Sequence, residues 1–143
     1  MFRRYGSALS VAAAAFGLGL WAGVVVHTQA QRNTRVLEVR RYTTNPGKLD
    51  ALVQRMREGE AKLFEQHGMK GVFYSIAADA PESQNIFIYV LAHDSRDAAK
   101  KSWDDFRNDP SWKSLRETSE ANGPLVGKVE STFVNPTDFS PIK

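Results

Sequence analysis

Residues 36–44 read VLEVRRYTT, and the alternation in this stretch decides how the rest of the chain is read. Leu37, Val39 and Arg41 fall on one side of a period-two pattern, and Glu38, Arg40 and Tyr42 fall on the other. That period belongs to a β-strand rather than a helix. A strand with one apolar and one charged face either turns the charges to water or lines a cavity with them.

Working outward, TTNPGKLDALVQRMREGEAKLFEQHG (43–68) carries a helix start at Asn45 with Pro46 in the first turn, and a stop at Gly68. Leu49, Leu52, Val53, Met56, Leu63 and Phe64 recur at helical spacing, so the segment is expected to be one amphipathic helix with a single buried stripe. GVFYSIA (71–77) and NIFIYVLA (85–92) are aromatic and β-branched runs joined by ADAPESQ, whose Pro, Asp and Ser mark a turn. Together they predict a hairpin. HDSRDAAKKSWDDFRNDPSWKSLRETSEANG (93–123) is helical, capped by Asp94 or Ser95 and stopped by Gly123. Asn108, Asp109 and Pro110 break it into two short helices that turn Trp103, Phe106, Trp112 and Leu115 inward. LVGKVESTFV (125–134) is the last strand, and NPTDFSPIK is an extended tail.

The order strand, helix, strand, strand, helix, strand is that of an α+β, ferredoxin-like βαββαβ domain, with a four-stranded antiparallel sheet and both helices on one face. The other face is left without cover. In either register the hairpin puts an apolar row there, Phe87, Tyr89 and Leu91 or Ile86, Ile88 and Val90. A contiguous apolar surface of that kind is unusual on a soluble monomer, and about 25 cal/mol per Å² favours burying it. Two sheets packed face to face in a homodimer are expected.

The first 31 residues stand apart from this domain. MFRRYGSALSVAAAAFGLGLWAGVVVHTQAQ has Arg3 and Arg4, an uncharged apolar block from Leu9 to Val26, and a Thr-Gln-Ala ending. That is the layout of a secretory signal with cleavage after Ala30, which predicts export to a bacterial periplasm or secretion. Tyr5-Gly6-Ser7 after the arginines favours general export over the twin-arginine route. The rival is an uncleaved membrane anchor at residues 9–26, since such a block at ~1.5 Å per residue nearly spans a bilayer. A mitochondrial presequence also lacks acids, but it is amphipathic, whereas this block is apolar all round.

The domain at 32–143 has the length of one small unit. Of 19 basic residues against 16 acids, loss of Arg3 and Arg4 leaves 17, so the mature charge is nearly balanced. No basic run interleaves with aromatics, and nucleic acid is not an expected partner. The chain has no cysteine. This fits an exported protein without disulfides and removes thiolate catalysis and thiolate metal sites.

VLEVRRYTTNPGKLDAL, EQHGMKGVFY, RNDPSWKSL and above all NPTDFSPIK resemble the NIPSNAP family over residues 36–141. The specific marks are a Glu-x-Arg-x-Tyr strand followed by Pro-Gly-Lys at one end and Pro-Thr-x-Phe-Ser-Pro at the other. The resemblance implies a dimeric α+β barrel of ferredoxin-like subunits. It implies no reaction, because the family has none generally established. Its best-known members are mitochondrial proteins linked to vesicle transport and mitophagy signalling, and those roles do not transfer to a chain with an export signal.

Leu37 and Val39 suit the helix-packed side of the sheet, which would send Glu38, Arg40 and Tyr42 into the barrel cavity at the dimer interface, with Tyr89 of the hairpin beside them. A buried Arg40 needs a carboxylate, and Glu38 or Glu130 is the nearest. Two readings follow: a structural ion pair closed by a Tyr hydroxyl, or an anion or phenol-sized ligand held by Arg40 and Tyr42. His67 precedes a helix stop, where the dipole favours it, and His93 ends the third strand as a loop cap. The rival is a metal or haem site shared by the two, for which no third ligand is evident. Trp103 and Trp112 read as core rather than a stacking platform, and Asp104, Asp105 and Asp109 as a solvated face.

No catalytic motif is present: no Gly-x-Ser-x-Gly, no His-Glu-x-x-His and no phosphate loop. Neither cofactor nor metal is expected. Three functions remain open: an exported dimeric barrel binding a small molecule; a cofactor-independent oxygenase or isomerase acting on an aromatic or polyketide-like substrate, by fold analogy; or a ligand-free structural or adaptor protein. Contact with a membrane follows only if the N-terminal segment is retained.

Overall fold

The computed structural model describes residues 35–142. The expected export segment, and with it the alternative anchor at 9–26, lies outside the described residues. Strands β1 (Val36–Thr44), β2 (Lys70–Ile76), β3 (Ile86–His93) and β4 (Val126–Val134) form one antiparallel sheet in the order β2-β3-β1-β4. This is the ferredoxin-like arrangement expected from the order of elements. Among the described residues, no helix is long and apolar enough to cross a membrane.

The helical layer departs from expectation at its start. Asn45 to Lys48 form a turn, in which the Lys48 N–H donates to the Asn45 carbonyl at 3.0 Å and Gly47 takes φ +71°. Helix α1 (Leu49–Arg55) begins only after it, with no side-chain cap. Pro46 therefore sits in the turn and not in the helix. The Asn45 amide instead donates to the Pro124 carbonyl at 2.8 Å, tying the end of β1 to the approach to β4. The expected single helix is also divided: a π-helical turn, Met56–Glu60, separates α1 from α2 (Ala61–Gln66). The break after α3 (Arg96–Asn108) falls where Pro110 requires it. Ser95 caps α3 by accepting from the Ala98 N–H at 3.0 Å, and Asp109 caps α4 (Pro110–Ser119) by accepting from the Ser111 N–H at 2.6 Å.

The core lies between the sheet and these helices. Leu52, Met56, Phe64 and Phe106 from the helices pack with Tyr42, Phe87, Tyr89 and Leu91 from the sheet, and Trp103, Trp112 and Leu115 close its rim. The register pairs Glu38 with Leu91, Arg40 with Tyr89 and Tyr42 with Phe87, so the whole charged row of β1 lies beneath the helices. This corrects the expected orientation. Leu37, Val39 and Arg41 face the opposite way, together with Ile86, Ile88 and Val90 of β3. The physical reason is that the charged row is internally paired and flanked by rings, while Arg41 reaches water on the far side. Arg41 pairs there with Glu130 at 3.1 Å, each about two-fifths exposed.

Candidate functional site

Period two sends Glu38, Arg40 and Tyr42 upward from β1 at alternate positions, and three further elements, β3, β4 and α3, converge on them. Glu38 is the centre, 1% exposed. Its Oε1 accepts from Arg40 Nη1 and from Ser131 Oγ of β4, both at 2.6 Å. Its Oε2 accepts from the Trp103 indole N–H of α3 at 2.7 Å and is 2.9 Å from His93 Nε2 at the end of β3. Burial alone pushes this carboxyl up, but the bonds from His93, Ser131, Trp103 and Arg40 outweigh it and bring the pKa down to about 2. An ionised carboxylate only accepts, so the facing His93 Nε2 carries its proton.

Arg40 links this centre to the aromatic core. Its Nη2 donates to the Tyr42 hydroxyl at 3.3 Å, and its guanidinium lies 4.2 Å from the centre of the Trp103 ring. Burial lowers its pKa, but Tyr89, Tyr42 and Glu38 more than offset it, and the group stays charged. Tyr89 donates to the Tyr42 hydroxyl at 2.6 Å, and burial holds both phenols above their ordinary range. Two buried atoms beside Glu38 have no hydrogen-bond partner: Arg40 Nε and His93 Nδ1.

A second buried pair adjoins the first. Arg55 Nε donates to Glu60 at 2.8 Å and its Nη1 to Glu120 at 3.1 Å, with the guanidinium 5.1 Å from the Trp112 ring centre. Burial pushes the Glu60 carboxyl up, and Arg55 opposes this. Glu60 ends the π-helical turn, a local distortion that often accompanies functional sites.

A cleft of about 400 Å³ opens between α3 and strands β1 and β4, lined by Glu38, Arg96, Asp97, Lys100, Trp103, Arg107 and Phe133. Another, of about 370 Å³ and more apolar, runs along edge strand β2, with Met56, Tyr74, Ile76 and Phe87 among its walls. Of the expected site residues, Glu38 lines the first cleft. Arg40, Tyr42 and Tyr89 line neither, and form the packed layer under it.

The histidines serve different carboxylates, His93 that of Glu38 and His67 that of Asp109, the latter at 2.7 Å. Among the described residues no three His, Cys, Asp or Glu side chains are placed to hold a metal. Asp104 pairs with Lys100 and Arg107, and Asp105 with Lys101. Sequence reasoning missed Glu60, Ser131 and the role of Trp103. Glu60 was within reach of it: four residues after Met56 and three before Leu63, it occupies the buried stripe of the helix. Ser131 carries no signal of its own.

The chain is thus a ferredoxin-like α+β domain that buries an ionised carboxylate between its sheet and its helices. The NIPSNAP family profile matches residues 37–141, and the chain belongs to the NIPSNAP family. Among solved structures, a NIPSNAP family protein of unknown function from Agrobacterium tumefaciens is 20% identical, with 78% of this chain and 96% of that one covered at TM-score 0.67. A NIPSNAP-like domain protein from Burkholderia xenovorans is 15% identical, with 76% and 90% covered at TM-score 0.66. These likenesses establish the fold. Comparison with curated proteins finds no match.

Proposed function

We propose that this protein binds a small organic molecule in the cleft above Glu38. The observation that carries the reading is a cleft of about 400 Å³ whose floor is the buried, ionised Glu38 carboxylate and whose mouth carries Arg96, Lys100 and Arg107. Its volume falls within the range of ligand sites, about 300–1,000 Å³. Trp103 and Phe133 supply apolar walls. Glu38, ionised at neutral pH, does not itself exchange protons there; it orients Trp103 and His93.

A second reading, a cofactor-independent oxygenase or isomerase, is favoured by one feature. Glu38 holds His93 through Nε2 and leaves Nδ1 without a partner, the arrangement in which a carboxylate orients an imidazole for proton transfer. We further propose that the mature chain is exported and works as a homodimer through the sheet face that bears Leu37, Val39 and Ile88. Phe73 of β2 and Val134 of β4, on that face, are 45% and 38% exposed.

Native mass spectrometry of protein purified from its own cells tests the reading. A retained small molecule that is absent from the Trp103→Ala variant is the expected result, and its absence from both would overturn it. The intact mass locates the mature N terminus, with Gln31 first if the signal is cleaved after Ala30.

A further inference from the structure

We propose that the Glu38 cleft selects a planar aromatic carboxylate, with the ring against Trp103 and Phe133 and the carboxylate on Arg96. This inference rests on the cleft being a ligand site and adds the chemistry of the ligand. It follows from an account of which hydrogen-bonding capacity in the cleft is already filled. Glu38 has none left, because an ionised carboxylate offers about four acceptor positions and Arg40, Ser131, Trp103 and His93 occupy them. A donor-rich or cationic ligand therefore gains nothing from the buried carboxylate.

The capacity that remains is mainly donor capacity. Arg96 lies with its guanidinium carbon 3.8 Å from the centre of the Phe133 ring, and among the described residues no carboxylate engages it. Stacked on a ring, an arginine keeps its N–H edge free for bidentate contact with a planar carboxylate. Lys100 and Arg107 stand at the same mouth, both steered by Asp104, at 2.8 and 2.5 Å. Asp97 is the one further carboxylate of the lining; counted with Asp104 it leaves an excess of one cation at the mouth, and Arg96 is the one that Asp104 does not hold. The indole of Trp103 is pinned by its bond to Glu38 and by the Arg40 guanidinium on its face, so it presents a rigid, flat wall. A cleft of about 400 Å³ is near the small end of the ligand-site range, about 300–1,000 Å³, which suits one ring with a short anionic substituent.

Calorimetric titration of the full chain with benzoate, its neutral amide benzamide, and benzylamine tests the inference. Benzoate is expected to bind about tenfold or more tightly than benzamide, with benzylamine weakest. Arg96→Gln is expected to remove that preference while leaving benzamide affinity within about twofold. Equal affinities for benzoate and benzamide, a preference that survives Arg96→Gln, or no binding by any of the three would overturn the carboxylate assignment. A small molecule retained in native mass spectrometry and lost in Trp103→Ala would in each of those cases leave the cleft itself standing as a ligand site.

Discussion

Glu38 and Arg40 show how charges are carried inside a small domain. The Glu38 side chain is 2% exposed and that of Arg40 14% exposed, 2.6 Å apart. Removing the cation strands a buried anion, so Arg40→Ala is expected to cost about 3–5 kcal/mol in urea melts, whereas an exposed pair would cost at most about 1 kcal/mol. The pH dependence follows from Glu38 itself. Its pKa is 4.5 when unfolded and about 2 when folded, so the unfolded chain takes up the proton first. The stabilisation is complete above pH 4.5 and is lost as the pH falls toward 2. Glu60 acts in the opposite sense: burial raises its pKa, so its contribution is present at low pH and fades as the pH rises. In a Glu60→Gln background, the acid loss is therefore expected to be steeper, and adding Glu38→Gln is expected to flatten it. At this scale the sequence showed the alternation and the Glu38–Arg40 partnership, but not which way the row faces. Hydropathy favoured Leu37 and Val39 for the helix side. The outcome depended on rings from Tyr89 and Trp103, distant in sequence, that accept a guanidinium already paired with Glu38.

At the scale of elements, the caps and breaks of the second helical segment and the glycine stops were legible because they are local, whereas the start of the first helix at Asn45 and Pro46 was not, since the same residues make a turn before Leu49. Ser95, Asp109 with Pro110, and Gly68 at φ +76° and Gly123 at φ +98° act where their chemistry requires. The π-helical turn was not legible, since the same apolar spacing serves a regular helix. Nor was the irregularity in β2, where register shifts between Gly71 and Phe73 and returns Tyr74 to the helix side. There Tyr74 stacks on Tyr89, 5.8 Å between ring centres, and its hydroxyl lies over Gly71. A Cβ at Gly71 would sit 2.6 Å from that oxygen and 2.9 Å from Cε2 of the ring. Gly71→Ala is expected to expel Tyr74 from the stack and cost about 1–3 kcal/mol, measured by urea melts alongside a loss of near-ultraviolet circular dichroism. An unchanged aromatic signal would contradict this packing.

At the scale of the molecule, the βαββαβ order and the family were readable because they rest on the succession of elements and on motifs at both ends of the domain. The location of the cleft was not, since it arises where α3 crosses β1 and β4. The proposed dimer uses the opposite face, and light scattering at micromolar concentration is expected to report a dimer that Val39→Lys converts to a monomer with unchanged far-ultraviolet circular dichroism. A monomeric parent would contradict it. The proposed ligand cleft has the Glu38 carboxylate as its floor beneath α3, and the Trp103 indole N–H, which donates to that carboxylate, reports on it directly. In nitrogen-15 spectra, with Trp103→Phe identifying the resonance, that proton is expected to exchange slowly with solvent, to lose protection in Glu38→Gln, and to shift when the small molecule recovered from the cells is added back. Fast exchange in the parent protein, or ligand-induced shifts confined to Leu37, Val39 and Ile88 on the other face of the sheet, would contradict the account.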